Sequence, residues 1–346
     1  MKIVGKAGFG ALLAMLVASG GCSKKEQPKK DAKETMAPDD GKEAAGKMKE
    51  DPGTPAEPTA DAKGIPAPST PLPDPTHKVK VSDKDELDVW VYGEGTPVVF
   101  AHGGFFWDFL RPLAFELSKK GDYQLILYSR RGHHGKPTGP VTIPEQADDI
   151  VKILDALKID KAHLVGHSYG ANISLQAAMQ VPDRLASVVL LEPVLASQIK
   201  SGPAIAKSFE PVMAKIKGGD LEGGAIAFLA PLGGTKEGMQ ATIPGSWEDM
   251  LKSGANTFFT VEAPAMMGWK VDAAKAKAIK VPTTLISADK TPVPQESLGL
   301  VKQWAPQVKQ TEMPAPASGQ YDHFFPLKAP AETAVLVDEW IKSQKS

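Results

Sequence analysis

The order of apolar runs predicts an α/β fold, a mostly parallel sheet with helices on both faces. Three observations carry this. Short continuous apolar stretches, the clearest being Pro97-Val98-Val99-Phe100-Ala101, read as strands covered on both sides. They alternate with longer segments of helical periodicity through to the C-terminus. Hydrophobic residues make up 42% of the 346-residue chain, enough to bury a substantial core, and there is no internal repeat.

Taken in order, Val79 and Val81, then Leu87, Val89 and Val91, alternate with polar residues and read as two antiparallel strands. After the run at 97–101 come a helix over Phe109–Lys119, a strand over Leu125–Tyr128 and a helix over Ile143–Leu157. A strand over His163–Val165, a helix over Ser168–Gln180 and a strand over Val188–Leu191 follow. The alternation resumes with a strand at Thr283–Ile286, a helix at Glu296–Trp304, a strand at Val308–Glu312 and a closing helix at Ala331–Ile341. The interruption, about residues 196–270, is helical, punctuated by Gly and without a clear strand.

The N-terminus reads differently. Lys2 and Lys6 precede an apolar run from Ala7 to Ala18, too short to span a bilayer, which needs about 20 residues. Ser19-Gly20-Gly21-Cys22 closes it, and residues 1–22 resemble a bacterial lipoprotein signal. That resemblance implies export and a lipid on Cys22, anchoring the protein to a membrane, with the outer membrane favoured because Ser23 follows. Residues 23–77, rich in Lys, Asp, Glu, Ala and Pro, bury too little to offset chain entropy and read as a disordered tether with a reach of roughly 40 Å. The folded domain is expected over 78–346.

Composition excludes other classes. The 40 Lys plus Arg balance 41 Asp plus Glu, leaving no basic footprint for nucleic acid. A single cysteine permits neither an intramolecular disulfide nor a thiolate zinc site.

Gly166-His167-Ser168-Tyr169-Gly170 fits G-x-S-x-G between an apolar strand and a helix, the setting in which a serine is exposed on a sharp turn at a positive helix end. His102-Gly103-Gly104-Phe105 ends the buried strand, where a glycine turn can aim an amide at an oxyanion. Together with Ser129-Arg130-Arg131-Gly132-His133-His134-Gly135 and Asp322-His323, in this order, these motifs resemble the α/β-hydrolase superfamily over roughly residues 80–345. The resemblance implies an eight-stranded sheet with the helical segment 196–270 as a cap inserted after strand 6. It implies Ser168 as nucleophile and His323 as general base. Oxyanion donors would be the amides of Tyr169 and of Gly104 or Phe105. For the acid, Asp289 in Ser287-Ala288-Asp289 is preferred and Glu192 in Leu191-Glu192-Pro193 is the alternative. No metal or organic cofactor is implied.

The expected chemistry is hydrolysis of a small, partly apolar ester, thioester or lactone through an acyl-enzyme. Carbon–carbon bond hydrolysis on the same triad, and a non-catalytic surface binding module, stay open, as does the oligomeric state. Phe209, Met213, Phe228, Met239, Trp247, Met250, Phe258, Phe259, Met266, Met267 and Trp269 supply an apolar cap, to be divided between pocket lining and packing.

Overall fold

A computed structural model describes residues 64–133, 139–289, 291, 293, 295–314 and 321–344. The expected signal at 1–22, Cys22 and the tether up to residue 63 lie outside the described residues. Among the described residues no helix is long and apolar enough to cross a membrane.

Eight strands form one sheet: β1 (His77–Lys80), β2 (Glu86–Tyr92), β3 (Thr96–Ala101), β4 (Tyr123–Tyr128), β5 (Ala162–His167), β6 (Leu185–Leu191), β7 (Thr283–Ser287) and β8 (Lys309–Glu312). Their spatial order is β1-β2-β4-β3-β5-β6-β7-β8. β2 runs antiparallel to β1 and β4, and every other pairing is parallel. The central strands are continuous apolar runs because both faces are covered: α1 (Arg111–Ser118) and α5 (Pro330–Lys342) pack together, and α2 (Ile143–Ala156) packs against α3 (Tyr169–Gln180). α4 (Gln295–Trp304) connects β7 to β8. Helix α2 starts at a capping box in which Thr142 and Glu145 satisfy each other's backbone amides.

The register of β3, β5, β6 and β7 brings their carboxyl ends side by side, with Ala101 opposite Gly166, His167 opposite Leu191 and Leu191 opposite Ile286. His102, Ser168, Glu192 and Asp289 therefore leave the sheet at one edge, where open α/β sheets bind ligands. Above this edge the segment after β6 forms helices at Gly202–Ser208, Glu210–Lys217, Leu221–Leu229 and Lys236–Thr242, then a long helical run over 246–268. These helices and this run together form the cap expected from sequence over about 196–270. It contains two π-helical turns, Met250–Gly254 and Phe258–Glu262.

The tether, drawn to residue 77 from composition, is too long at its C-terminal end. Ile65 is fully buried. The Arg111 guanidinium donates to the carbonyls of Thr70 at 2.5 Å and Pro68 at 2.8 Å, and Trp90 Nε1 donates to Pro73 at 2.9 Å. One buried isoleucine and a set of backbone carbonyls, satisfied by a distant arginine, fix a proline-rich strap that composition reads as disordered.

Candidate active site

Ser168 caps α3 with φ 54° and ψ −116°, a region that a non-glycine residue enters only under constraint. The constraint is visible on both sides. A Cβ on Gly166 would lie 2.4 Å from the Gly170 carbonyl oxygen, and a Cβ on Gly170 would lie 2.0 Å from that of Ala101. Only glycine lets the turn press this closely on β3. Ser168 N donates to the Leu191 carbonyl at 2.9 Å, tying the turn to β6. The first amide of α3, Tyr169 N–H, is among the four that a helix leaves without an intrahelical partner. The Tyr169 ring points into the core, where its hydroxyl accepts from Gln146 Nε2 at 2.6 Å, so Tyr169 can serve the cavity through its backbone.

His323 lies in the segment before α5, and its Nδ1–H donates to Glu192 Oε2 at 2.7 Å. Both residues are buried. Glu192 Oε1 accepts the Ala288 amide at 2.7 Å, and Glu192 itself has φ 48° at the end of β6. A carboxylate bound on both oxygens is fixed in place, and it fixes the imidazole tautomer, leaving Nε2 as the basic nitrogen. His323 and Ser168 line the same cavity; no hydrogen bond joins them in this conformation, and such contacts commonly tighten only when substrate docks.

The preference for Asp289 as the partner of His323 is corrected. Asp289 Oδ1 accepts the Tyr321 amide at 2.9 Å and so braces the segment that carries His323 rather than the ring. Asp322 Oδ1 accepts the Phe324 amide at 2.9 Å, a loop cap.

His167 Nε2–H donates to the His323 carbonyl at 2.8 Å, and its ring stacks on Phe109 at 4.6 Å. Burial first, then the neighbouring His323, holds its pKa well below the usual histidine range, so it stays neutral. His102 is neutral by geometry as well: Nδ1–H donates to Gly103 O at 2.7 Å and Nε2 accepts the Arg130 amide at 3.1 Å. Burial, then Arg130, lowers its pKa.

Gly104 and Phe105 also line the cavity. The Phe106 amide donates to Gly104 O at 2.9 Å across Phe105, whose φ of 69° makes this a tight three-residue turn. The cavity measures about 230 Å³. Among the described residues its lining contains no Lys, Arg, Asp or Glu; Phe209, Phe228, Phe258 and Met266 come from the cap. Trp247, Met250, Met239 and Trp269 of the expected cap set are buried in packing instead.

The sequence names Arg130 within a motif but gives neither it nor Glu262 a role. Arg130 and Glu262, both buried, pair through Nε to Oε1 at 3.0 Å. A lone acid within the apolar stretch Phe258–Trp269 was the available signal, because a buried charge requires a partner.

Residues 98–336 match the profile of the alpha/beta hydrolase family. The chain is 34% identical to a putative carbamate hydrolase RutD of Azorhizobium caulinodans over 104 residues, 29% of this chain and 38% of that protein. It is 35% identical to esterase YbfF of Escherichia coli over 99 residues, 28% of this chain and 38% of that one. These alignments span well under half the length of either relative. Among solved structures, the enol-lactonase from Burkholderia xenovorans aligns at a TM-score of 0.62 with 18% identity, over 76% of this chain and 99% of that one. A thermophilic esterase from Thermogutta terrifontis aligns at 0.63 with 19% identity, over 78% and 99%. Likeness at this identity concerns the fold.

Proposed function

The chain belongs to the alpha/beta hydrolase family, and on that premise we propose that it is a serine hydrolase working through an acyl-enzyme on Ser168. The observation that carries this reading is the convergence on one cavity of a serine on a constrained turn and a histidine whose Nδ1 is held by Glu192 at 2.7 Å. Ser168 Oγ attacks the acyl carbon while His323 Nε2 takes its proton. Glu192 stabilises the imidazolium, and the Tyr169 amide with that of Gly104 or Phe105 receives the oxyanion. The imidazolium then protonates the departing alcohol or thiol, and water repeats the sequence to release the acid.

The substrate is a small neutral ester, thioester or lactone with an apolar part. A lining that holds no Lys or Arg among the described residues offers no cation to compensate a buried carboxylate. The carbamate hydrolase and esterase relatives fit acyl transfer to water. In a panel of matched esters, kcat/KM is expected to favour neutral over carboxylate-bearing members by about a hundredfold or more, roughly 3 kcal/mol. Equal or reversed preference would remove this substrate class.

The leader extends the proposal to export and lipid anchoring at Cys22. A clickable palmitate analogue should label the wild type in its bacterial host and leave Cys22→Ser unlabelled; label on both would refute the anchor.

A further inference from the structure

One stripe of the long cap helix bears on the loop that follows β3. Gly254, Phe258 and Glu262 stand four residues apart in the run 246–268. At 3.6 residues per turn such a stripe drifts around an α-helix. The two π-helical turns, Met250–Gly254 and Phe258–Glu262, hold more residues per turn and offset that drift. Gly254 and Phe258 meet the loop directly. A Cβ on Gly254 would lie 1.9 Å from the Phe105 carbonyl oxygen, so glycine alone lets the helix approach. The Phe258 ring fills the space beside Gly104, where a Cβ would lie 2.5 Å from Cδ2, and stacks on Phe105 at 4.5 Å.

Glu262 acts one residue further off, through Arg130. Its Oε1 accepts from Arg130 Nε and Nη2 and is in hydrogen-bond contact with His133 Nε2 at 2.9 Å. Burial would raise its pKa, but Arg130 and His133 outweigh burial and keep it ionised. The guanidinium donates to Gly103 O at 3.0 Å and to His102 O. In a trans peptide the carbonyl and the following N–H point opposite ways. Holding Gly103 O on Arg130 therefore turns the Gly104 N–H away from the guanidinium. Thr257 Oγ1 donates to Gly132 O at 2.6 Å and Ser253 Oγ to His133 O, locking the same helix to the loop that carries Arg130.

Resting on the serine-hydrolase reading, we propose that the oxyanion hole is assembled by the docked cap helix, with Gly254, Phe258, Glu262 and Arg130 as positioning residues. The cap then does more than cover substrate. Lifting it from the loop removes Glu262 from Arg130 and frees the carbonyls that orient the loop, so admission of substrate and stabilisation of the tetrahedral intermediate are coupled.

The test uses the full-length protein and a matched pair of substrates, an ester and its thiono analogue with C=S in place of C=O. Sulfur accepts hydrogen bonds weakly, so an oxyanion hole helps the thiono ester little. Gly254→Ala, Arg130→Lys and Glu262→Gln are compared with Thr260→Ala, an exposed position on the same helix. The three loop-facing variants should lower kcat on the ester by about tenfold to a hundredfold with KM nearly unchanged. The ester-to-thiono rate ratio should fall with it, while Thr260→Ala matches wild type. Should Gly254→Ala fail to fold, the isosteric Glu262→Gln and the charge-preserving Arg130→Lys carry the same comparison. Equal loss on both substrates, or a change in KM or melting temperature alone, overturns the proposal while the hydrolase reading stands. A wild type that turns over neither substrate overturns both.

Discussion

Glutamine in place of Glu192 is expected to lower kcat by about 10⁴-fold, while asparagine in place of Asp289 costs no more than about tenfold. Glutamine preserves the shape and still accepts the Ala288 amide through its carbonyl oxygen, a bond of 2.7 Å in the native protein. Its NH₂ group then faces His323 Nδ1, where the carboxylate oxygen stands at 2.7 Å. A donor there forces the imidazole into the other tautomer, with the proton on Nε2 and no base for the serine. Asparagine at 289 retains an oxygen for the Tyr321 amide, so the segment carrying His323 keeps its brace. Steady-state rates at saturating ester, with melting temperatures as a folding control, make the comparison. The reverse ranking would return the acid's role to Asp289.

Alanine at Ser168 and alanine at His323 should each reduce kcat by about 10⁶-fold, and the double variant should lose no more than either single one. The reason lies in their joint action: without the serine there is no proton for the histidine to take, and without the histidine the hydroxyl is a poor nucleophile. What survives is whatever the amides of the oxyanion hole and the apolar cavity supply to direct attack by water. Single and double variants assayed on one activated ester read this out. Losses that multiply in the double variant would mean that the two residues serve separate steps, which contradicts the proposed mechanism.

Much of the sheet is written locally. Continuous apolar runs such as Pro97–Ala101 announce strands covered on both faces, and the Ser168 turn announces itself because two glycines flank a serine between strand and helix. The acid was not legible in the same way. Glu192 and Asp289 both follow strand ends at the same sheet edge, and which one meets the imidazole depends on the path of the chain before α5, set by tertiary packing. The strap at 65–73 was missed because its stability comes from Arg111, more than forty positions away, and not from its own composition. The π-turns of the cap helix have no apolar period of their own. Gly254 and Phe258 meet the loop after β3 and Glu262 meets Arg130 after β4, and that pairing belongs to the folded chain.

The most direct measurement is the intact mass of the full-length protein after incubation with a fluorophosphonate, beside Ser168→Ala. The account predicts one adduct on the wild type, formed through attack by an activated Ser168 Oγ, and none on the variant. A folded wild type that stays unmodified, or an adduct that persists in Ser168→Ala, would contradict it.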